Sequence, residues 1–418
     1  MFVFVRNRNR VEERARDRAS RERERERERE TAMETMVEDV VIVGAGIAGL
    51  ATAVALKRAG IEALVLERSE GLRATGAALT LYPNAWSALD ALGISQKLAT
   101  RYAPTLKVPV GPRCLHRKAL LEALADELPI HSVRFSSKIT AIDTQQHEGS
   151  SLAIVHMENG TIIKAKVLIG CDGVHSVVSR WLGLGEPVLS GRSAVRGLAV
   201  FPQGHGLGQN FRQYVGTGIR AGFIPVSDKD VYWFFSCISP AKGESLGEDP
   251  KETKKQVLEN YAKDLPPLYL DVVQHSDLST LTRAPLKFRY PWHVVFGNLS
   301  KQNITVAGDA MHPMTPDLAQ GGGSALEDAV ILGRHIGKSF VKNGRVLVPK
   351  EMAVAIDKYI EERRWHVALL IAGSYISGWV QQAGSGWGKK FLRDVMFYKF
   401  LYPKIVRYMH YDCGKLDF

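Results

Sequence analysis

Cysteine is scarce in this chain: Cys114, Cys171, Cys237 and Cys413 are the only four in 418 residues, and none sits at a paired spacing. Neither a disulfide framework nor a zinc site is suggested, and a reducing compartment is the expectation. Long apolar runs are missing too. The stretch Val367 to Ile376 is interrupted by Gly373 and Ser374 and falls short of the ~18 to 20 residues that span a bilayer. No cleavable leader is evident: Met1 to Val5 is too short for a secretory core, and the acids that follow do not suit a transit peptide. Cytoplasmic residence is therefore expected. Lys and Arg are dispersed rather than gathered among aromatics on one face, so no nucleic acid partner is expected despite a formal net charge of +11.

Part of that charge belongs to the N-terminus, where the first 30 residues hold eleven Arg against eight Asp or Glu. Arg21 to Glu30 alternates Arg and Glu without apolar periodicity and cannot build a core, so residues 1–36 read as a disordered charged extension. Met33 and Met36 both precede the first strand, and translation from either would leave the repeat upstream of the protein. The remainder, 45% hydrophobic and 24% charged, suits a globular enzyme of more than one domain.

What is present begins with Val40 to Val43, a buried strand, followed at once by Gly44-Ala-Gly-Ile-Ala-Gly49 and an Ala- and Leu-rich helix to Arg58. A second apolar strand, Ile61 to Leu66, ends in Glu67, with Arg68 beside it, 18 residues beyond Gly49. This is the dinucleotide fingerprint with its ribose-binding acid at about the expected ~20-residue offset. Gly44 permits the tight turn, Gly46 lets backbone N–H groups of Ala45 and Ile47 approach a pyrophosphate, and Gly49 lets helix and strand pack closely. The helix start directs the positive end of its dipole at the phosphates. Glu67 accepts from ribose hydroxyls and repels a 2′-phosphate, which leaves FAD or NAD for this site.

Farther along, Arg117 opens a helix to about Glu127, and Asn159-Gly160 is a two-residue hairpin turn. Val167 to Gly170 reads as another strand and delivers Cys171-Asp172-Gly173 onto a loop. From Ala194 to Ile238 the pattern becomes alternating strands, an antiparallel sheet whose Arg196, Tyr214, Arg220, Phe223 and Trp233 could line a pocket for a planar acidic substrate, or simply alternate between core and surface. Asn303 to Ala307 returns as a strand ending in Gly308-Asp309. Asp309 is placed to accept a ribityl hydroxyl, and His312, between strand and proline, reads as shaping the loop. Gly321-Gly322-Gly323 opens a further helix. The segment Phe391 to Tyr408 mixes aromatic and basic residues; packing across domains is the expectation, with a membrane surface as the alternative. No metal site is read.

Taken together, the motifs resemble the single-component FAD-dependent aromatic hydroxylases built like p-hydroxybenzoate hydroxylase, specifically the plant salicylate-hydroxylase-like monooxygenases, over roughly residues 38 to 400. The resemblance implies an α/β fold: a Rossmann-like FAD-binding domain (37–185 and 285–345), an inserted antiparallel substrate sheet (186–284) and a C-terminal helical region (346–418). It implies that Gly44, Gly46, Gly49 and Glu67 hold the ADP half of FAD. Arg117 would contact the cofactor, Asp172 would serve FAD and the nicotinamide donor, Asp309 the ribityl chain, and Pro316 with Ala319 to Gly322 the isoalloxazine. NADH or NADPH would reduce the flavin, O2 would add to give a flavin hydroperoxide, and a small aromatic or conjugated substrate would be hydroxylated by a monomer or homodimer. Two positions depart from the family pattern. Ser179 stands where arginine is usual, and Ala319 where glycine is common, at a cost of about 1 kcal/mol if φ there is positive. They leave room for two other readings, an FAD-dependent dehydrogenase or reductase without oxygen insertion and a non-catalytic flavin-binding protein.

Overall fold

The structure, a computed structural model, describes residues 37–72, 77–104, 111–147, 150–238, 249–382, 395 and 399–418. The extension 1–36 and most of 391–398 lie outside them.

Strand β1 (Val37–Val43) turns through Gly44 into helix α1 (Ile47–Arg58), and the chain returns as β2 (Leu64–Leu66). Val40 to Val43 are buried on both faces, which is why the strand reads as continuously apolar rather than alternating. Next come β3 (Ala78–Leu81), α2 (Pro83–Ala91), β4 (Arg113–His116), α3 (Arg117–Ala125) and β5 (Val133–Arg134). Strands β6 (Ile139–His147), β7 (Ser150–Met157) and β8 (Ile162–Gly170) form a meander, with Gly160 at φ +83° in the second turn. Val167 to Gly170 is therefore the far end of β8 rather than a separate strand. Its near end pairs antiparallel with β7, while residues 167–170 lie parallel to β1 and, at Leu168 to Gly170, to β15 (Ile304–Val306). Helix α4 (Val177–Trp181) follows.

The second sheet takes β9 (Val188–Val200), β10 (Arg212–Gly216), β11 (Ile219–Pro225) and β12 (Asp230–Ile238), passes through helices α5 (Pro250–Gln256) and α6 (Pro267–Gln274), and adds β13 (Thr282–Phe288). Its order is β10-β11-β12-β9-β13, all antiparallel. The sheet thus runs past the expected boundary at residues 284 and 285. Helix α6 covers its outer face, where Tyr269, Val272 and Val273 join Phe223, Trp233 and Phe235 in a core of their own.

The chain re-enters the first sheet through α7 (Pro291–Val295), β14 (Ser300–Lys301) and β15 (Ile304–Val306), giving the order β14-β15-β8-β1-β2-β5. Helix α8 (Gly321–Lys342) then packs on α1, so tightly that a Cβ at Gly333 would lie 2.5 Å from that of Ala55. Helix α9 (Pro349–Gln381) crosses behind the sheet, its Tyr359 hydroxyl donating to Val306 O at 3.1 Å. Helix α10 (Tyr402–Met409) packs Met409 against Leu318 and Leu370, in a cluster that takes no residue from the second sheet, and beyond it Cys413 is fully buried.

Candidate active site

The three glycine motifs meet at the C-terminal ends of β1, β8 and β15. Cys171 N donates to Val43 O at 2.8 Å and Ala307 N to Gly170 O at 2.9 Å. A Cβ on Gly44, which sits at φ +100°, would lie 2.5 Å from Cys171 O, and one on Gly49 would lie 1.9 Å from Gly44 O. These two glycines are required by backbone contact. Gly46 differs: nothing stands within 4 Å of where its Cβ would be. The first turn of α1 faces open space at the strand ends, the arrangement that receives phosphates. Glu67 Oε2 accepts from Ala45 N at 2.8 Å and its Oε1 from Ser69 N at 2.9 Å. The acid is thereby fixed at the glycine turn, and each oxygen keeps a lone pair for a ribose hydroxyl. Arg68 is exposed beside it.

Asp309, Arg117 and Arg196 form the second part of the site. Asp309 has accessible surface, yet burial among surrounding groups pushes its carboxyl above the usual range, with His312, Arg117 and Arg196 pulling it down. That combination describes a carboxylate on the floor of a cleft. Burial also lowers the Arg117 pKa, which Asp309 opposes and Arg196 reinforces. Arg117 therefore faces Asp309 and Arg196, on the flavin side of the site. Asp172 Oδ2 accepts from Val177 N at 2.6 Å, and burial raises its carboxyl against the hydrogen bond from Ser176. Two buried atoms, Arg117 Nε and Asp172 Oδ1, have no hydrogen-bond partner among the described residues. Each costs about 1–3 kcal/mol if left unmet. A polar ligand laid from Gly46 to Asp309 would reach the right region, so the residues fit a bound FAD.

Over this cleft lies the inner face of the second sheet. Side chains alternate across a strand, and the register pairs Arg196 with Phe234, Leu198 with Tyr232, and Arg220 with Ser236. These residues share the inner face. Tyr214, Phe223 and Trp233 belong to the other parity: Phe223 and Trp233 are fully buried in the outer core, and Tyr214 stacks edge-on with Tyr269 at 5.8 Å. The five residues expected around one pocket are thus divided by the sheet: Arg196 and Arg220 lie on the cleft side, and the three aromatic residues do not. Tyr232 and Phe234, which sequence reasoning did not single out, take the place of the other three. Their positions follow from Arg196 once the β9–β12 register is known, and one strand read alone does not contain it.

The loop beside Gly321 is clamped to this sheet. Asp317 receives both Arg192 nitrogens, at 3.0 and 2.8 Å, and Arg220 Nη1 at 2.9 Å. Burial alone would raise the Asp317 carboxyl; Arg192 and then Arg220 overcome it and hold it below the usual range. Ala319 sits at φ +52°, ψ +33°, the left-handed region its side chain disfavours. Pro316 is exposed in the same loop, and Gly321 and Gly322 form the first turn of α8, with Gly322 close to Leu79 and Ile47. Ser179, the other departure, accepts at 2.9 Å from the buried Arg289, which comes from just beyond β13. A guanidinium therefore reaches the place from a different strand. Burial brings its pKa down to about 10, with Glu186 opposing.

Beneath the loop lies a closed ionic cluster. Asp328 accepts from Gly308 N at 2.8 Å, His312 Nε2 at 2.5 Å and Arg363 Nε at 2.7 Å, and Arg363 also pairs with Glu327 at 2.8 Å. Asn84 donates to Glu327 at 2.5 Å and to Gln320 at 3.0 Å. The cluster ties Gly308, and with it Asp309, to α8 and α9, and His312 serves it as a structural partner.

A parallel sheet with glycine turns at its strand ends, facing an antiparallel sheet across a polar cleft, defines a dinucleotide-dependent flavoprotein with a separate substrate layer. Residues 38–108 and 116–372 match the FAD binding domain family, and the chain belongs to it as an FAD-dependent monooxygenase. It is 42% identical to Monooxygenase 2 of Arabidopsis thaliana over 406 residues, 90% of this chain and 98% of that protein. It is 37% identical to Monooxygenase 1 of the same plant over 402 residues, 90% and 99% of the two chains. In fold it resembles Klebsiella pneumoniae HpxO, solved in complex with FAD and uric acid, with a TM-score of 0.71 at 23% identity over 91% of this chain and 96% of that one.

Proposed function

We propose that this monooxygenase hydroxylates a small, planar, conjugated acid, taking electrons from NADH or NADPH and one oxygen atom from O2. The observation that carries the reading is Arg196, a cation on the inner sheet face with Phe234 as its cross-strand neighbour and Asp309 nearby below. Arg220 is already engaged by Asp317, so Arg196 is the guanidinium of this face left to receive a substrate anion. Tyr232 and Phe234, 6.5 Å apart between ring centroids, offer aromatic surface to a flat molecule.

FAD, when bound, supplies hydride acceptance and oxygen activation. The chain's own part is positioning and electrostatics. Gly44 to Gly49 and Glu67 hold the ADP end; Arg117, Asp172 and Asp309 supply donors and acceptors along the remainder; the start of α8 turns N–H groups toward the ring end, where they favour negative charge. Pro316 and the Asp317 clamp hold that helix start against the substrate sheet. Uric acid, bound in the Klebsiella structure, is a conjugated acid of the proposed kind and belongs in a first panel with benzoates and hydroxybenzoates.

The test is anaerobic flavin reduction by NADH and by NADPH with and without each acid, followed by 18O2 labelling of the product. One acid should accelerate reduction and carry label, and Arg196→Gln should raise its KM more than it lowers kcat. Reduction without label in any product would favour the second reading, a reductase, for which the unusual Ser179 and Ala319 are the warrant. Flavin that stays oxidised with both donors and every acid would favour the non-catalytic reading.

A further inference from the structure

Helix α9 is buried on most of its circumference, but Trp365, Leu369, Ile376 and Trp379 are 61%, 44%, 38% and 57% exposed. At about 100° per residue they fall within about 40° of one line, ~21 Å long. Lys358 and Glu361 end the line at its N-terminal side. A helix whose outer stripe is tryptophan, leucine and isoleucine, as apolar as its buried side, is not finished by its own fold.

The line is flanked on both sides. On one, Arg364 Nη1 donates to Val295 O at 2.7 Å and Tyr375 stacks on Phe288 at 4.6 Å, which brings α7 alongside with Trp292 52% and Phe296 81% exposed. On the other, Ile405 of α10 approaches Gly373, and the rings of Tyr408 and His366 lie 6.0 Å apart. Helix α10 and the residues before it add exposed Phe400, Leu401 and Tyr408 together with Lys399, Lys404 and Arg407, and residues 399–411 contain no acid.

We propose that the exposed face formed by α7, α9 and α10 is a peripheral docking surface for an anionic lipid bilayer. Tryptophan and aliphatic side chains would enter the headgroup boundary, and the cations of α10 would meet lipid phosphates and carboxylates. No helix among the described residues is long and apolar enough to cross a membrane, so the contact lies on the surface. Charge favours a bilayer over a second copy of the chain. A two-fold axis along the α9 line sets the α10 cations against α7, which carries no acid; an axis across it sets them against their own copies.

The experiment is sedimentation of the full-length flavoprotein with vesicles of phosphatidylcholine alone and of phosphatidylcholine mixed with phosphatidylserine, beside light scattering of the free protein. Binding to the mixed vesicles is expected, weakened about tenfold or more by Trp365→Glu with Trp379→Glu, and less by Lys404→Gln with Arg407→Gln or by added salt. Flavin content and NAD(P)H oxidation should be unchanged in both variants, since neither pair touches the cleft. Absence of binding to either vesicle overturns the proposal, as does binding that both variants keep. A dimer that Trp365→Glu splits overturns it in favour of a second copy on this face.

Discussion

Two ionic clusters lie on either side of the segment 308–323, and they are built to opposite specifications. Beneath it, Asp328, Arg363, Glu327 and His312 are wholly buried, and the guanidinium meets both acids. Among the described residues both clusters leave buried atoms unmatched, Arg117 Nε and Asp172 Oδ1 in the cleft above and His312 Nδ1 and Arg363 Nη1 below, but the upper one reaches accessible surface through Asp309. A closed cluster contributes to folding and gains nothing from a ligand. An open one stores unmet hydrogen-bonding capacity that a ligand can take up.

The sharpest break of that contrast is Arg363→Met, which leaves two buried carboxylates facing each other. Denaturant unfolding should show a loss of about 3–5 kcal/mol; a loss under about 1 kcal/mol would mean the cluster is solvated and not closed. Arg117→Met probes the other side. FAD should bind roughly 10- to 100-fold more weakly, the worth of about 1.5–3 kcal/mol in a charge-assisted hydrogen bond, while the stability of the apoprotein hardly moves. Equal losses in affinity and in apoprotein stability would erase the distinction.

A smaller effect is expected from His366, buried beside Arg363 and Glu327 with the tilted ring of Tyr411 4.3 Å away. Burial first and Arg363 second lower its pKa to about 3, with Asp328 opposing. Its folded pKa lies below the unfolded value, so below pH ~6.5 the unfolded chain binds the extra proton. Stability should be full above that value and fall as pH drops toward 5, by up to about 1.4 kcal/mol per pH unit. His366→Phe should flatten that slope, and an unchanged slope would show that the imidazole charges freely. The smallest effect is Ala319→Gly. Relief of a left-handed alanine, about 1–2 kcal/mol, is offset by the chain entropy of glycine, about 0.5–1 kcal/mol. A net gain of at most about 1.5 kcal/mol should appear in thermal unfolding, and a net loss would mean the Cβ makes a contact worth more than the strain.

The nucleotide half was legible in the sequence at the level of single residues. Strand, turn, helix and acid at Val40 to Glu67 lie within thirty residues of one another, and each is read from its own conformational demand. Ala319 was legible in another way, through the family resemblance that makes glycine common there, and its φ is indeed positive. The substrate side was not. Tyr214, Phe223 and Trp233 are aromatic like Tyr232 and Phe234, and composition cannot separate them. Parity relative to Arg196 does, and parity acquires a meaning only when α6 covers one face of the sheet. Likewise β13 and its neighbour Arg289, which contacts Ser179 across 110 residues, carried no recognisable spacing.

The sequence by itself determined the class of cofactor and the turn proposed to receive its phosphates, because a tight turn at positive φ, a helix dipole and an acid one strand later are properties of contiguous chain. Tertiary structure alone decided which ions are closed and which are open, which sheet face meets the flavin side, and which stripe of α9 stays outside. Those outcomes depend on partners 35 to 125 residues apart, such as Arg363 with Asp328 and Arg192 with Asp317, and a charge or an aromatic ring acquires its role from what is packed against it.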